Sequence, residues 1–414
     1  MGRFNFRRVS MLYFVFCFFA FFNITHAAVE EHKKYIDFQV RGLTVAENHQ
    51  LSNNNSGMLW TSTNVDIDFN FNKYFSLETV TSLSNRYNGF TRPHALREYI
   101  NGGPEISTFF DNHGLTSRTL ALSIHNDNTE LMAGKIRPNI AIGNDVDANL
   151  FNNDWHGLYG VMMNGGYTNS NKIGLQLHSD VQMFRNSKQQ FDIALFKNDT
   201  TKMNDAVFAN RRTFGHSMPK ELGTVLNKRV AGDTDLPASF SVFFINKTKL
   251  PNGNNLNYSI TLRKQAVDET YASFVKDEST YITSAQYEKQ TEISTVGVFG
   301  EIALIQNAYG IVELKELYLT TSAYFSFDRF TTAFVYNLYK MTGVQSLNIA
   351  KTNLSQSQIS FGYKFNPQYR IDIGYRQIKD GITGKNGQGA GLGFYYNFGT
   401  KTNTTRSRSH QTIT

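Results

Sequence analysis

Asp145, Asp147 and Asp154 stand in a stretch, residues 136–154, that also carries five asparagines. Carboxylates at Asp-x-Asp spacing can ligate calcium, or act as fixed negative charge beside a solute path. A hand-type calcium loop needs a glutamate at its twelfth position, and none stands there counting from Asp145. No metal is therefore expected. The ten histidines are scattered, without a His-x-x-x-His or Cys/His cluster, which excludes the usual zinc spacings. Gly-x-Ser-x-Gly is absent, and no Gly-rich phosphate loop joins a strand to a helix. No catalytic residue, no cofactor and no enzyme activity are expected. What remains is charge. Lys135 and Arg137 lead into the acidic stretch, while Asp66, Asp68, Arg263, Arg370, Asp372 and Arg376 occupy polar positions of alternating runs. Basic positions on a wall facing an acidic loop would set a field across a water path and sort ions.

Those positions depend on strands. Ile359, Phe361, Tyr363 and Phe365 alternate with Ser360, Gly362 and Lys364. After Asn366-Pro367 the pattern restarts with Tyr369, Ile371, Ile373 and Tyr375 between Arg370, Asp372, Gly374 and Arg376, and again with Ala390, Leu392, Phe394, Tyr396 and Phe398. A period of two puts the apolar set on one face of a sheet and the polar set on the other. Short polar breaks between runs read as antiparallel hairpins. Val65, Ile67, Phe69 and Phe71 against Asp66, Asp68, Asn70 and Asn72 repeat the pattern early in the chain. Many strands with one wholly wet face leave too little core for a soluble sandwich of this size. The alternative is a sheet turned inside out, apolar to lipid and polar to a lumen.

Composition agrees once the ends are set aside. Arg3, Arg7 and Arg8, the apolar run Met11 to Phe22 and Thr25-His26-Ala27 read as a secretory signal peptide over residues 1–27, with Ala28 as the expected new N-terminus. Cys17, the one cysteine, lies inside it, so no disulfide is expected in the mature chain. The three signal arginines, with Lys401, Arg406 and Arg408 near the other end, account for six of 41 basic residues; residues 28–399 hold 35 basic against 34 acidic. The basic balance thus belongs to the ends, which removes the argument for a nucleic-acid partner. Mean hydropathy is −0.37, and no later apolar run approaches the ~20 residues of a spanning helix. A barrel wall escapes that test, because alternation averages hydropathy away. With 34 Phe and 21 Tyr the chain can supply aromatic girdles.

Further runs predict strands at 36–40, 75–81, 106–110, 120–124, 131–135, 158–167, 173–177, 191–195, 240–244, 256–262 and 296–304. The run from Ile311 to Leu338 predicts three more: Ile311 to Tyr318, Leu319 to Phe327 and Phe330 to Leu338. Residues 269–290 are ambiguous; 136–154 and 198–237 are long irregular segments. The sum is an all-β, transmembrane, antiparallel up-and-down barrel of about 16 strands, within a range of 14–18, over residues 28–399. Residues 400–414 are expected to form a disordered tail.

The layout resembles Gram-negative outer-membrane porins. The likeness rests on Ala133-Gly134-Lys135-Ile136-Arg137-Pro138 running into a long loop, on Gly157-Leu158-Tyr159-Gly160 and Lys172-Ile173-Gly174-Leu175 beyond it, and on Gly391 to Phe398. The resemblance implies a passive diffusion channel for small polar solutes or ions, an outer-membrane lipid surround and a homotrimer. It also implies that the 136–154 loop folds inward as a constriction, and that Phe398 is the terminal-strand aromatic read by the barrel-assembly machinery. Some fifteen residues follow Phe398, a departure from the usual terminal aromatic. Two alternatives stay open: a substrate-specific channel or receptor, for example for iron chelates, and a closed structural or adhesive barrel. A motor-driven receptor is disfavoured because only about eight residues separate Ala28 from the first strand, too few for an N-terminal plug.

Overall fold

The computed structural model describes residues 35–51, 55–85, 113–142, 155–159, 172–184, 186–199, 231–232, 234–267 and 275–399. The expected leader, residues 1–27, the expected tail, residues 400–414, and the expected strand at 106–110 lie outside them. Among the described residues sixteen strands form one closed antiparallel barrel. They are β1 (Tyr35–Leu51), β2 (Asn55–Asn70), β3 (Phe75–Asn85), β4 (His113–His125), β5 (Thr129–Ile136), β6 (Lys172–Phe184), β7 (Ser187–Asn198), β8 (Ser239–Lys249), β9 (Asn255–Gln265), β10 (Glu278–Gln290), β11 (Ser294–Gln306), β12 (Lys315–Phe327), β13 (Phe330–Met341), β14 (Thr352–Asn366), β15 (Tyr369–Asp380) and β16 (Asn386–Gly399). Each pairs with its sequence neighbours, and β16 returns to β1 in a register running from Gln39 opposite Gly399 to Leu51 opposite Gly387. Closure leaves no unpaired edge.

The connections differ in kind at the two ends. Where β1 begins and β16 ends, hairpins are tight: Asn70 to Phe75, His125 to Thr129, Phe184 to Ser187, Phe327 to Phe330, Asn366 to Tyr369. Asparagine builds several of them. The Asn366 side-chain oxygen accepts the N–H groups of Gln368 and Tyr369, both at 2.9 Å. Asn72 does the same for Tyr74 and Phe75, and Asn126 for Asn128 and Thr129. These turns satisfy amides that the ladder leaves over. Asn366→Ala should cost about 1 kcal/mol in a denaturant titration of the folded barrel, the net worth of such bonds, without altering the register. The opposite end carries the long connections, among them Ile136 to Lys172 and Asn198 to Ser239.

Burial alternates as the period of two requires. In β15, Arg370, Asp372, Arg376 and Asp380 are buried, while Tyr369, Ile373 and Tyr375 are exposed. Phe361, Phe334, Phe325, Leu392 and Ile260 repeat the exposed class around the wall. An apolar surface of that extent is what the lipid-facing wall of a barrel presents. Aromatic rings collect near the tight turns: Phe330 against Tyr363 and Tyr363 against Phe365 at 5.1 Å, Tyr369 against Phe394 at 6.0 Å, Tyr396 against Phe398 at 6.1 Å. This is one girdle. At the seam Tyr396 lies across Gly42, where a Cβ would sit 1.9 Å from the ring, and its hydroxyl meets Thr63 of β2 at 2.6 Å. One side chain thus ties three strands across the closure.

Two expected strands are corrected. Leu158 does not open a strand, since Trp155–Tyr159 is a turn; the rest of that expected run, residues 160–167, lies outside the described residues. Ile311 to Tyr318 and Leu319 to Phe327 are not separate strands but the approach to, and body of, β12. Asn307, Tyr309 and Glu313 hold φ of 52°, 60° and 68°, a left-handed path that no strand can follow.

Candidate pore lining and lumen

Asp145, Asp147 and Asp154 lie outside the described residues. The two feet of their connection are described, and both turn into the barrel. Beyond β5, the Asn139 amide donates to Asp192 of β7 at 3.1 Å, and the Thr261 hydroxyl of β9 donates to the Ile140 carbonyl. Ile140 and Ala141 are buried in an apolar cluster inside the wall, and Ile142 packs with Phe243, Ile245 and Phe299. The second foot, Trp155–Tyr159, crosses to the opposite side. Its Leu158 N–H donates to the Ser360 hydroxyl at 2.9 Å, and its Tyr159 N–H to Gln358 at 3.1 Å. Gln358 returns a bond to the His156 carbonyl at 3.1 Å. Trp155 meets Tyr324 edge-on at 4.3 Å, and the His156 ring meets Phe299 at 5.3 Å.

Most of the charged wall residues are buried and paired. Arg376 holds Glu47 with two bonds, Nε to Oε1 at 2.8 Å and Nη2 to Oε2 at 3.1 Å, and its guanidinium lies 4.5 Å over the Tyr159 ring. Arg370 donates to Asp372 at 2.8 Å. Asp66 pairs with Arg41, and Asp68 stands in register between Asp37 and Glu78. Lys135 reaches Asp199 at 2.8 Å, and Arg137 is half-buried just beyond β5. Arg263 donates to Glu278 at 3.0 Å and to Thr280 at 2.8 Å. The other Glu278 oxygen accepts the Tyr309 N–H at 2.8 Å, which fixes the inward connection between β11 and β12. Planar, forked arginine suits such two-point contacts. Pairing at this density spreads alternating charge over the wall instead of leaving one sign in bulk.

Several partners were not foreseen. Glu47 continues the inward parity of Arg41, Leu43 and Val45, so extending the β1 run to Leu51 exposes it in the sequence. His178 sits between Asp180 at 3.2 Å and Asp192 at 3.1 Å, with Lys188 on Asp180 at 2.6 Å. Tyr159 looks like a strand aromatic in sequence, yet its hydroxyl donates to the Gly374 carbonyl at 3.2 Å. Burial, and then the nearby Glu47 carboxylate, push this phenol well above its ordinary value, so it stays a neutral donor.

No family model matches the sequence, and no curated protein matches it. Solved structures do match. OprB of Pseudomonas putida superposes with a TM-score of 0.60 at 11% identity, over 88% of this chain and 94% of that one. The anion-selective porin from Comamonas acidovorans gives 0.48 at 8% identity, over 88% of this chain and all of that one. The outer-membrane channel DcaP of Acinetobacter baumannii gives 0.47 at 11% identity, over 90% of this chain and all of that one. The likeness to OprB carries the fold: this chain is built as a closed sixteen-strand antiparallel barrel like that of OprB.

Proposed function

We propose that the chain is an outer-membrane diffusion channel for small polar solutes or ions. The observation that carries the reading is one closed barrel, apolar outside and charged inside, with both feet of its β5–β6 connection drawn into the lumen. Such a wall supplies a water path, and the bore and lining charge select what passes. Asp145, Asp147 and Asp154 belong to the proposal as the acidic side of the constriction. Lys135, Arg137, Arg263, Arg370, Arg376, Asp66, Asp68 and Asp372 belong to it as wall charges. Export by cleavage before Ala28, assembly through Phe398 and a homotrimer in the membrane complete it. In planar bilayers under a salt gradient, Asp145→Asn, Asp147→Asn and Asp154→Asn combined should move the reversal potential toward anions. An unchanged potential with normal conductance removes the acidic constriction but keeps the channel.

A second reading has one observation in its favour. Leu158, Tyr159, Ile311 and Leu314 are buried inside the barrel against Tyr318, Val335 and Tyr339, an apolar packing more typical of a closed lumen. A gated or closed structural barrel would therefore show no steady conductance, whereas the channel reading requires it.

A further inference from the structure

Four strand glycines face the second foot of the β5–β6 connection. Gly374 of β15 and Gly391 of β16 are direct cross-strand partners, and Gly393 pairs with Asp372 two positions along. A Cβ at Gly393 would stand 2.3 Å from Leu158, one at Gly391 2.8 Å from the Tyr159 hydroxyl, and one at Gly374 3.0 Å from Leu158. On the far side, a Cβ at Gly297 would meet Trp155 at 2.4 Å. Glycine inside a strand weakens it, and its use marks close approach of another group. Here three glycines on two adjacent strands pave a flat recess, and Leu158 and Tyr159 lie in it. Around the rim Ser360 and Gln358 take the two N–H groups that a chain drawn off the wall must otherwise bury unbonded. Arg376, held by Glu47, covers the Tyr159 ring.

We propose that this recess is a positioning device: it seats Trp155–Tyr159 against β15 and β16 and thereby sets the bore of the lumen. Leu158 is the key and the recess is its lock, so the segment is a fixed element of the wall. The effect on the bore rests on the channel reading; the seating does not.

The test uses the full chain with Trp60→Phe, which leaves Trp155 as the sole tryptophan of the two in the sequence. Gly393→Val should still give a heat-modifiable barrel. It should shift Trp155 emission to the red and raise unit conductance by roughly twofold, as a wider bore requires. Adding Leu158→Ala to Gly393→Val restores the lost volume and should return both readings toward the parent. A merely structural glycine would not be rescued by trimming its neighbour. If Gly393→Val fails to fold, Gly393→Ala places its one methyl at the same contact and is read in the same way. A folded variant with parental emission and conductance overturns the proposal. A red shift and rescue in a barrel that never conducts uphold the seat and remove the channel reading.

Discussion

Replacing Glu47 with alanine lowers the stability of the folded barrel by about 3–5 kcal/mol, because it leaves the Arg376 guanidinium buried without its carboxylate. Both side chains are fully enclosed, and the carboxylate meets the guanidinium at two points, 2.8 and 3.1 Å. The pair links β1 to β15 over the closing β16, so the loss falls on the seam of the barrel. Removing the charge as well, with Arg376→Met added to Glu47→Ala, should recover most of the stability, since a buried ion pair itself contributes little over an apolar substitute. A denaturant titration of the four species in detergent gives the cycle. Additive single losses would mean that the two residues act independently and that the pairing is not what holds the seam.

Ile373→Arg is the other large effect. Ile373 is 60% exposed at the middle of β15, on the apolar outer face. Arginine at the bilayer midplane of a barrel costs about 2–4 kcal/mol, falling to about 0–1 kcal/mol near the interface. Tyr369→Arg, on the same face but at the start of the strand in the aromatic girdle, should therefore be nearly neutral. Folding into lipid vesicles across a urea series separates the two. Equal costs would mean that the outer face of β15 does not lie against hydrocarbon with the depth assigned here.

The wall was legible from the sequence because its rule is local. Most strands declare their two faces by alternation, as in Val65 to Asn72 or Tyr369 to Arg376, and several short turns announce themselves by asparagine; β10, in the ambiguous stretch 269–290, did not declare itself. Closure, with β16 returning to β1, follows once the strands are known, since an open sheet with an apolar face would leave edges and lipid-facing gaps. What the sequence concealed depends on partners far along the chain. Leu158 bonds a residue 202 positions away, and Glu47 meets Arg376 at a separation of 329. An apolar foot packed into a lumen and the start of a strand have the same hydrophobicity, so Leu158 and Tyr159 read as wall. The left-handed turn before β12 was only half marked, because Asn307 and Gly310 favour positive φ whereas Tyr309 and Glu313 do not. The glycines of β15 and β16 were visible as part of the polar face, but only the seated segment explains why that face is bare there.

The central claim is that this barrel encloses a path through the outer membrane. Unit conductance of the refolded protein in a planar bilayer tests it most directly. The account predicts discrete, uniform steps that persist at low voltage and vanish when the protein is heat-denatured before insertion. A heat-modifiable, membrane-inserted barrel that adds no current over the bare bilayer would contradict it, and would leave the packed lumen as the structure of a closed barrel.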